Sequence, residues 1–350
     1  MSNMQKATNS VLVKKTYDDG WMTFSIKRKS DTASVHKVEN GETEIWEEIP
    51  VALADNLFQE ALENGYKVTV YDSLMYGGHG LIHNFSHENF TFIKGDILNK
   101  EFLHQSMKEH DVVVHLAAIV GYTACRIDEQ NSYRVNHQGT MNVVDGLDGE
   151  QLLLYGSTGS NYGTVDGICT EETPLNPLSI YGRSKTLGEE EVMKYPKGIA
   201  FRFATAFGVS PRLRLDLLVN DLSYSAYNQK YIAVYESHFM RTFIHVKDIA
   251  KVFKFAIEHP EEMSGEVYNV GSNSMNHSKG DVCKLIQEKT DCYVHYADFD
   301  GDADKRDYVV SYDKINGLGY DTTISVDEGI DELLRVFPIV QMDNKKYKNG

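Results

Sequence analysis

Long apolar runs are missing from this chain of 350 residues. The longest, VVVHLAAIVGY, falls short of the ~20 residues a membrane-spanning helix needs. No leader pattern stands at the start, so a cytoplasmic protein without membrane contact is expected. Positive charge is also scarce. Lys and Arg number 35 against 51 Asp and Glu, a formal net charge of -16. General binding to nucleic acid or to anionic membranes needs the opposite excess, whereas a small anionic molecule needs only a few local arginines. Cysteine is sparse too: the four residues Cys125, Cys169, Cys283 and Cys292 are far apart and form no C-x-x-C pair. Reduced thiols are expected rather than disulfides or a metal site, and no metal is assigned.

What is present is alternation. From about Gly65 the chain passes between short β-branched runs (YKVTVYD, DVVVHLAA, LLLYGST, GIAFRFATAFG) and helix-like stretches such as SIYGRSKTLGEEEVMKY and VKDIAKVFKFAIEH. That order predicts an α/β fold, a doubly wound parallel sheet whose near-continuous apolar strands are buried on both faces. The alternation weakens after about Phe207, which predicts a smaller C-terminal substrate lobe. Residues 1–45 read as an atypical β-rich segment, a meander punctuated by D-D-G and E-N-G turns. The expected division is therefore 1–45, then a Rossmann-like dinucleotide-binding region over 46–207, then 208–350 as a mainly substrate-binding lobe with interleaved segments.

The strongest chemical signal is SIYGRSKTLGEEE. Tyr181 and Lys185 are one helical turn apart and share a face. A lysine ammonium beside a phenol favours the phenolate, which suits Tyr181 as the acid/base for a sugar or alcohol hydroxyl. With 21 tyrosines in the chain the spacing alone carries little. It gains weight from the hydroxyl-rich strand end YGSTGSNYG, where Ser157 and Thr158 would open onto a site. Asp72 closes a strand where a carboxylate holds adenosine ribose hydroxyls and disfavours a ribose phosphate, pointing to NAD over NADP. Asp96 follows another short strand, and the small residues Ala117 and Ala118 permit close approach of a cofactor.

Together KVTVYDSLMYGG, FIKGDI, VVVHLAAIVG, YGSTGSNYG, YGRSK, RTFIHVKDIA and YNVGS resemble the extended short-chain dehydrogenase/reductases, the NAD-dependent epimerase/dehydratase group acting on nucleotide sugars. The resemblance runs from roughly Ala54 to Phe337. Within the group, SPRLRLDLLVNDLSYSAY, HFMRTFIHV and DADKRDYVVS look most like GDP-mannoheptose 4-dehydrogenases and their heptose-modifying neighbours. The resemblance implies a Thr158–Tyr181–Lys185 catalytic set and NAD held by Asp72, Asp96, Ala117, Ala118, Asn136 and Lys185. It also implies a nucleotide-diphosphate sugar near Arg212, Arg241 and Arg306, whose guanidinium forks suit phosphate oxygens. The implied activity is oxidation or epimerisation at C4 of such a sugar, a GDP-heptose among the candidates, in surface-polysaccharide precursor synthesis, by a homodimer.

Two departures stand out. Sugar-nucleotide 4,6-dehydratases carry an Asp-Glu pair directly after the catalytic threonine, where this chain has Gly159 and Ser160, so dehydration is disfavoured. Glycine is missing as well: counting back from Gly65 puts Glu47, Pro50 and Leu53 on the three glycines of the phosphate-binding turn. Pro50 has no N–H to donate, and Glu47 brings negative charge to a helix start that normally receives phosphate. Two readings follow: a working NAD enzyme that completes the phosphate site another way, or a non-catalytic relative that binds a nucleotide sugar or a protein partner.

Overall fold

The structure is a computed structural model that describes residues 12–16, 21–26, 34–37, 50–297 and 307–340, with side chains from Asn56 onward. Glu47 and Arg306 lie outside the described residues, as does most of the segment 1–45. That segment contributes three strands, β1 (Leu12–Thr16), β2 (Trp21–Ile26) and β3 (Ser34–Lys37), paired antiparallel in that order. Pro50 is the first residue of α1 (Pro50–Glu63), the helix position at which a missing N–H costs least.

The alternation read from the sequence then unfolds in order. α1 turns at Gly65 into β4 (Val68–Asp72), followed by β5 (Phe90–Lys94), α2 (Lys100–Met107) and β6 (Val112–His115). Two short helices, α3 (Tyr122–Ile127) and α4 (Glu129–Tyr133), run through a π-helical turn at Arg134–Gln138 into α5 (Gly139–Asp145). β7 (Leu152–Thr158) and β8 (Thr164–Cys169) precede α6 (Ile180–Val192), which starts where the Ser179 side chain accepts the Gly182 N–H. The run GIAFRFATAFG, which reads as one strand, is two: β9 (Gly198–Phe203) and β10 (Thr205–Phe207) break at Ala204 and join different sheets.

The remaining elements are α7 (Leu218–Gln229), β11 (Tyr231–Tyr235), β12 (Met240–His245), α8 (Val246–Glu258), α9 (Pro260–Met263), β13 (Val267–Val270), β14 (Asn276–Ser278) and α10 (Lys279–Lys289). β15 (Tyr293–Ala297), β16 (Asp307–Val310), α11 (Asp313–Gly317) and α12 (Val326–Val336) complete the described chain. Ser278 and Ser325 open α10 and α12 with reciprocal capping boxes to Asp281 and Glu328. Among the described residues no helix is long and apolar enough to cross a membrane.

The central sheet is parallel, in the order β13-β9-β7-β6, with β4 and β5 as a separate parallel pair. Its side chains alternate between two helical layers. Leu152 and Leu154 of β7 join Leu57 of α1 and Ile249, Ala250 and Phe253 of α8 on one face. Leu153 and Tyr155 join Leu103 and Met107 of α2 and Val143 of α5 on the other. A second core lies in the C-terminal half, where α7, α10 and α12 cover the parallel pair β11–β15 with Val219, Val234, Ile286, Val294, Ile330 and Leu333. β13 and α8 come late in the chain yet belong to the first core, so the two halves interleave.

One buried ion pair ties the layers together. Arg202 of β9 is 6% exposed and Glu189 of α6 is 4% exposed; Nη2 donates to Oε1 at 2.6 Å and Nε to both carboxylate oxygens. The Ser157 hydroxyl donates to the same carboxylate at 2.6 Å, and Arg202 Nη1 donates to the Tyr162 hydroxyl and the Glu171 carbonyl, each at 3.0 Å. Removing one partner strands a buried charge, a loss of about 3–5 kcal/mol. Glu189→Ala should therefore lower stability by that amount in a denaturant titration. The double replacement Glu189→Leu with Arg202→Met, which leaves no charge behind, should recover most of it.

Candidate active site

The carboxyl ends of β6 and β7, the start of α6 and the loop after β10 enclose a cleft. Doubly wound sheets place ligands at this edge because the strand ends and helix starts expose backbone groups there. Thr158 is the last residue of β7, and its side chain caps the turn that follows by accepting the Ser160 N–H at 3.2 Å. The same hydroxyl donates to Ser160 Oγ at 3.1 Å. Tyr181 sits in the first turn of α6, with Lys185 one turn on, and both line the cleft with Thr158 and Ala118.

Lys185 is 2% exposed, its ammonium 3.9 Å from the centre of the Tyr155 ring. Burial pulls its pKa down to about 7, against the upward pull of Glu189 one turn further along α6. His115, at the end of β6, is pushed down to about 3 by burial and by the Lys185 charge, so it is neutral, its Nε2 paired with Thr140 Oγ1 at 2.9 Å. The wall behind Lys185 thus holds one cation rather than two.

Asn136 lies in the π-helical turn and is fully buried. Its Oδ1 accepts the Ile119 N–H at 2.6 Å, while Nδ2 donates to the Ile119 carbonyl at 2.8 Å and to Ser184 Oγ at 2.9 Å. These bonds fasten the loop after β6 to α6, a positioning role. Asp72 ends β4 and accepts the Leu74 N–H at 2.6 Å; burial raises its pKa, with that bond opposing. Asp96 is exposed and accepts the Leu98 N–H at 2.9 Å. Neither carboxylate, nor Ala117, lines the cleft itself.

The substrate-side arginines divide. Arg212 lies over the Tyr76 ring at 5.1 Å, and buried Arg241 donates to the Met240 carbonyl at 3.0 Å; neither lines the cleft. The residue that does is Arg214, which the sequence reading passed over. It is 6% exposed, and Nε and Nη2 form a fork with the Asp216 carboxylate. Asn220 holds the loop in place, Nδ2 donating to the Arg214 carbonyl at 2.8 Å and Oδ1 accepting from the Gly208 N–H at 3.0 Å. Arg214 Nη1 is buried with no partner among the described residues. The R-L-R-L-D alternation offered a signal, since Arg214 is the arginine two residues from an aspartate. No cluster of three or more metal-ligating side chains occurs among the described residues.

Comparison with known proteins assigns the chain to a family. The family model described as "NAD dependent epimerase/dehydratase family" matches residues 53–271. The putative UDP-glucose 4-epimerase of Methanocaldococcus jannaschii is 26% identical over 298 residues, covering 79% of this chain and 92% of that protein. A dTDP-glucose 4,6-dehydratase of Actinoplanes is 26% identical over 282 residues, covering 76% of this chain and 86% of its own length. Among solved structures, the UDP-glucuronic acid 4-epimerase of Bacillus cereus in complex with UDP-glucuronic acid and NAD superposes with a TM-score of 0.72. It shares 24% identity over 83% of this chain and 98% of its own, a likeness of fold.

Lys185 generates a pH signature. Between about 7 and the ordinary lysine value of 10.5, the unfolded chain holds a proton that the folded chain has released, so stability rises with pH across that window. Below it both states are protonated and the penalty is constant. Denaturant titrations across this range should show the rise in the native protein and a smaller one in Lys185→Met.

Proposed function

Since the chain belongs to the NAD dependent epimerase/dehydratase family, matched from residue 53 to 271, we propose that it oxidises the C4 hydroxyl of a nucleotide-linked sugar, with or without re-reduction on the other face. The observation that carries this reading is the convergence of Thr158, Tyr181 and Lys185 on one cleft. As a phenolate stabilised by the Lys185 ammonium, Tyr181 takes the proton from the sugar hydroxyl and becomes the neutral phenol, and the Thr158 hydroxyl orients the reacting oxygen. Water loss needs a second acid/base beside the threonine. Gly159 has none, and a Cβ there would stand 3.3 Å from the Phe203 carbonyl oxygen; Ser160 is bonded to Thr158.

NAD supplies the hydride acceptor. The nicotinamide end of the cleft fits it: Ala118 adds almost no bulk, and Gly121, at φ 103, leaves open space where a side chain would stand. Lys185 lines the same wall, and Asp72 closes β4 where the ribose hydroxyls are expected. The start of α1 fits less well, because Pro50 removes one backbone donor. We assign Arg214 Nη1 to an anionic group of the substrate, the diphosphate of a nucleotide sugar, because a buried, preformed donor without a partner is the feature such a group would satisfy.

Two outcomes are expected. Tyr181→Phe should lower single-turnover oxidation by about 10²–10⁴-fold without changing the melting temperature; an unchanged rate would remove Tyr181 from the reaction. Arg214→Leu should weaken nucleotide-sugar binding by about 10- to 100-fold in calorimetry and leave free sugar unaffected. Running UDP-, dTDP- and GDP-linked sugars, heptose included, in the same calorimeter assigns the base and the sugar.

A further inference from the structure

Beneath Lys185 lies Tyr155 of β7. It is fully buried and does not line the cleft, so a ligand bound there does not touch it. Its ring centre is 3.9 Å from the Lys185 ammonium, the separation of a close cation–π contact. Its hydroxyl donates to the Lys185 carbonyl at 3.3 Å, so one side chain meets both ends of the lysine. Burial first, and then the Glu189 charge, push the phenol well above its ordinary pKa. Tyr155 therefore stays neutral and offers the ammonium its π face rather than a charge.

Two observations show that the contact is built into α6. Gly188 sits inside that helix, three residues after Lys185, where glycine weakens a helix. A Cβ at Gly188 would stand 2.3 Å from the Tyr155 hydroxyl oxygen and 3.1 Å from the ring carbon that carries it. The glycine thus makes room for the phenol against α6. The second observation concerns Glu189, the carboxylate one turn on from the lysine. Its oxygens are engaged by Arg202, Ser157 and Asn161, whereas the ammonium rests on the ring. The other groups facing Lys185 are Tyr181 on α6, the Cys125 thiol of α3 and the neutral His115 of β6. The His115 ring packs on Tyr155 at 5.4 Å.

We propose that Tyr155 is a positioning residue for the reaction, its ring face holding the Lys185 ammonium charged and at the depth of Tyr181. The lysine's part in the chemistry rests on the C4 oxidation proposed above; the contact itself does not. Lys185 is held near 7 by burial, with Glu189 and Cys125 opposing. An amine poised there is charged or neutral at neutral pH according to small changes in what supports it. Without the electron-rich face, it releases its proton at lower pH. The charge that stabilises the Tyr181 phenolate then goes with it.

The first test needs no substrate. Carbon-13 at lysine Cε, with Lys185→Met identifying the signal, gives the titration midpoint of Lys185 by NMR in the full chain. Tyr155→Phe keeps the ring and should leave the midpoint in place. Tyr155→Leu should lower it by about one pH unit or more. Pentafluorophenylalanine at position 155 keeps the shape of Phe and withdraws electrons from the ring face. It should lower the midpoint as Leu does, and it serves where the Leu variant fails to fold. Single-turnover oxidation at neutral pH should fall about tenfold in the Leu and fluorinated variants and hold in Phe, with nucleotide-sugar affinity unchanged in calorimetry. An unchanged midpoint in the fluorinated variant would overturn the proposal. Equal losses in Phe and Leu would also overturn it, by assigning the effect to the hydroxyl. A midpoint that moves as expected in a chain that oxidises no nucleotide sugar would uphold the contact and count against the C4 reading alone.

Discussion

The site depends on the ion pair between Arg202 and Glu189. Two charges taken out of water cost several kcal/mol each unless their hydrogen-bonding capacity is met, and here the surroundings meet it. Glu189 accepts from Arg202, Ser157 and Asn161, and Arg202 also reaches Tyr162 and Glu171. Through these bonds α6 is fixed against β7 and β9, so Tyr181 and Lys185 stand at a set depth beside Thr158. The same carboxylate, one turn from Lys185, moderates how far burial depresses the lysine. A change in this pair moves the structure and the chemistry together.

Much of this was legible in sequence. Periodicity placed β4, β6, β7 and α6, and the Tyr181–Lys185 spacing found a cleft wall because helical phase is a local property. Glu189 continues that phase at a further interval of four, so its inward direction could have been read, but two more glutamates follow it and composition alone does not choose among them. The arginines were harder. Arg212 and Arg214 alternate along an irregular loop, and only the Asp216 fork and the bonds from Asn220 decide which guanidinium faces the cleft. The family resemblance implies Asn136 as a residue that holds the dinucleotide. In the structure its side-chain amide bonds Ile119 and Ser184, long-range partners that no local pattern encodes.

The start of the chain links sequence to fold most directly. The family match opens at Leu53, the last of the three positions at which the glycines of the phosphate-binding turn were sought. Among the described residues, β4 pairs only with β5 and β6 only with β7. The wall of the cleft lined by Thr158, Tyr181 and Lys185 is carried by β7 and α6.

The most direct test of the account is the fate of the hydrogen on the oxidised carbon. A nucleotide sugar deuterated at C4, mixed with the full chain and NAD in a single turnover and analysed by mass spectrometry, should yield reduced cofactor carrying the deuterium. Deuterium on a sugar inverted at C4 is the outcome of re-reduction and agrees with oxidation there. Deuterium released to water, or left on a sugar of unchanged C4 configuration with the cofactor unreduced, would contradict the assignment of this cleft to oxidation at C4.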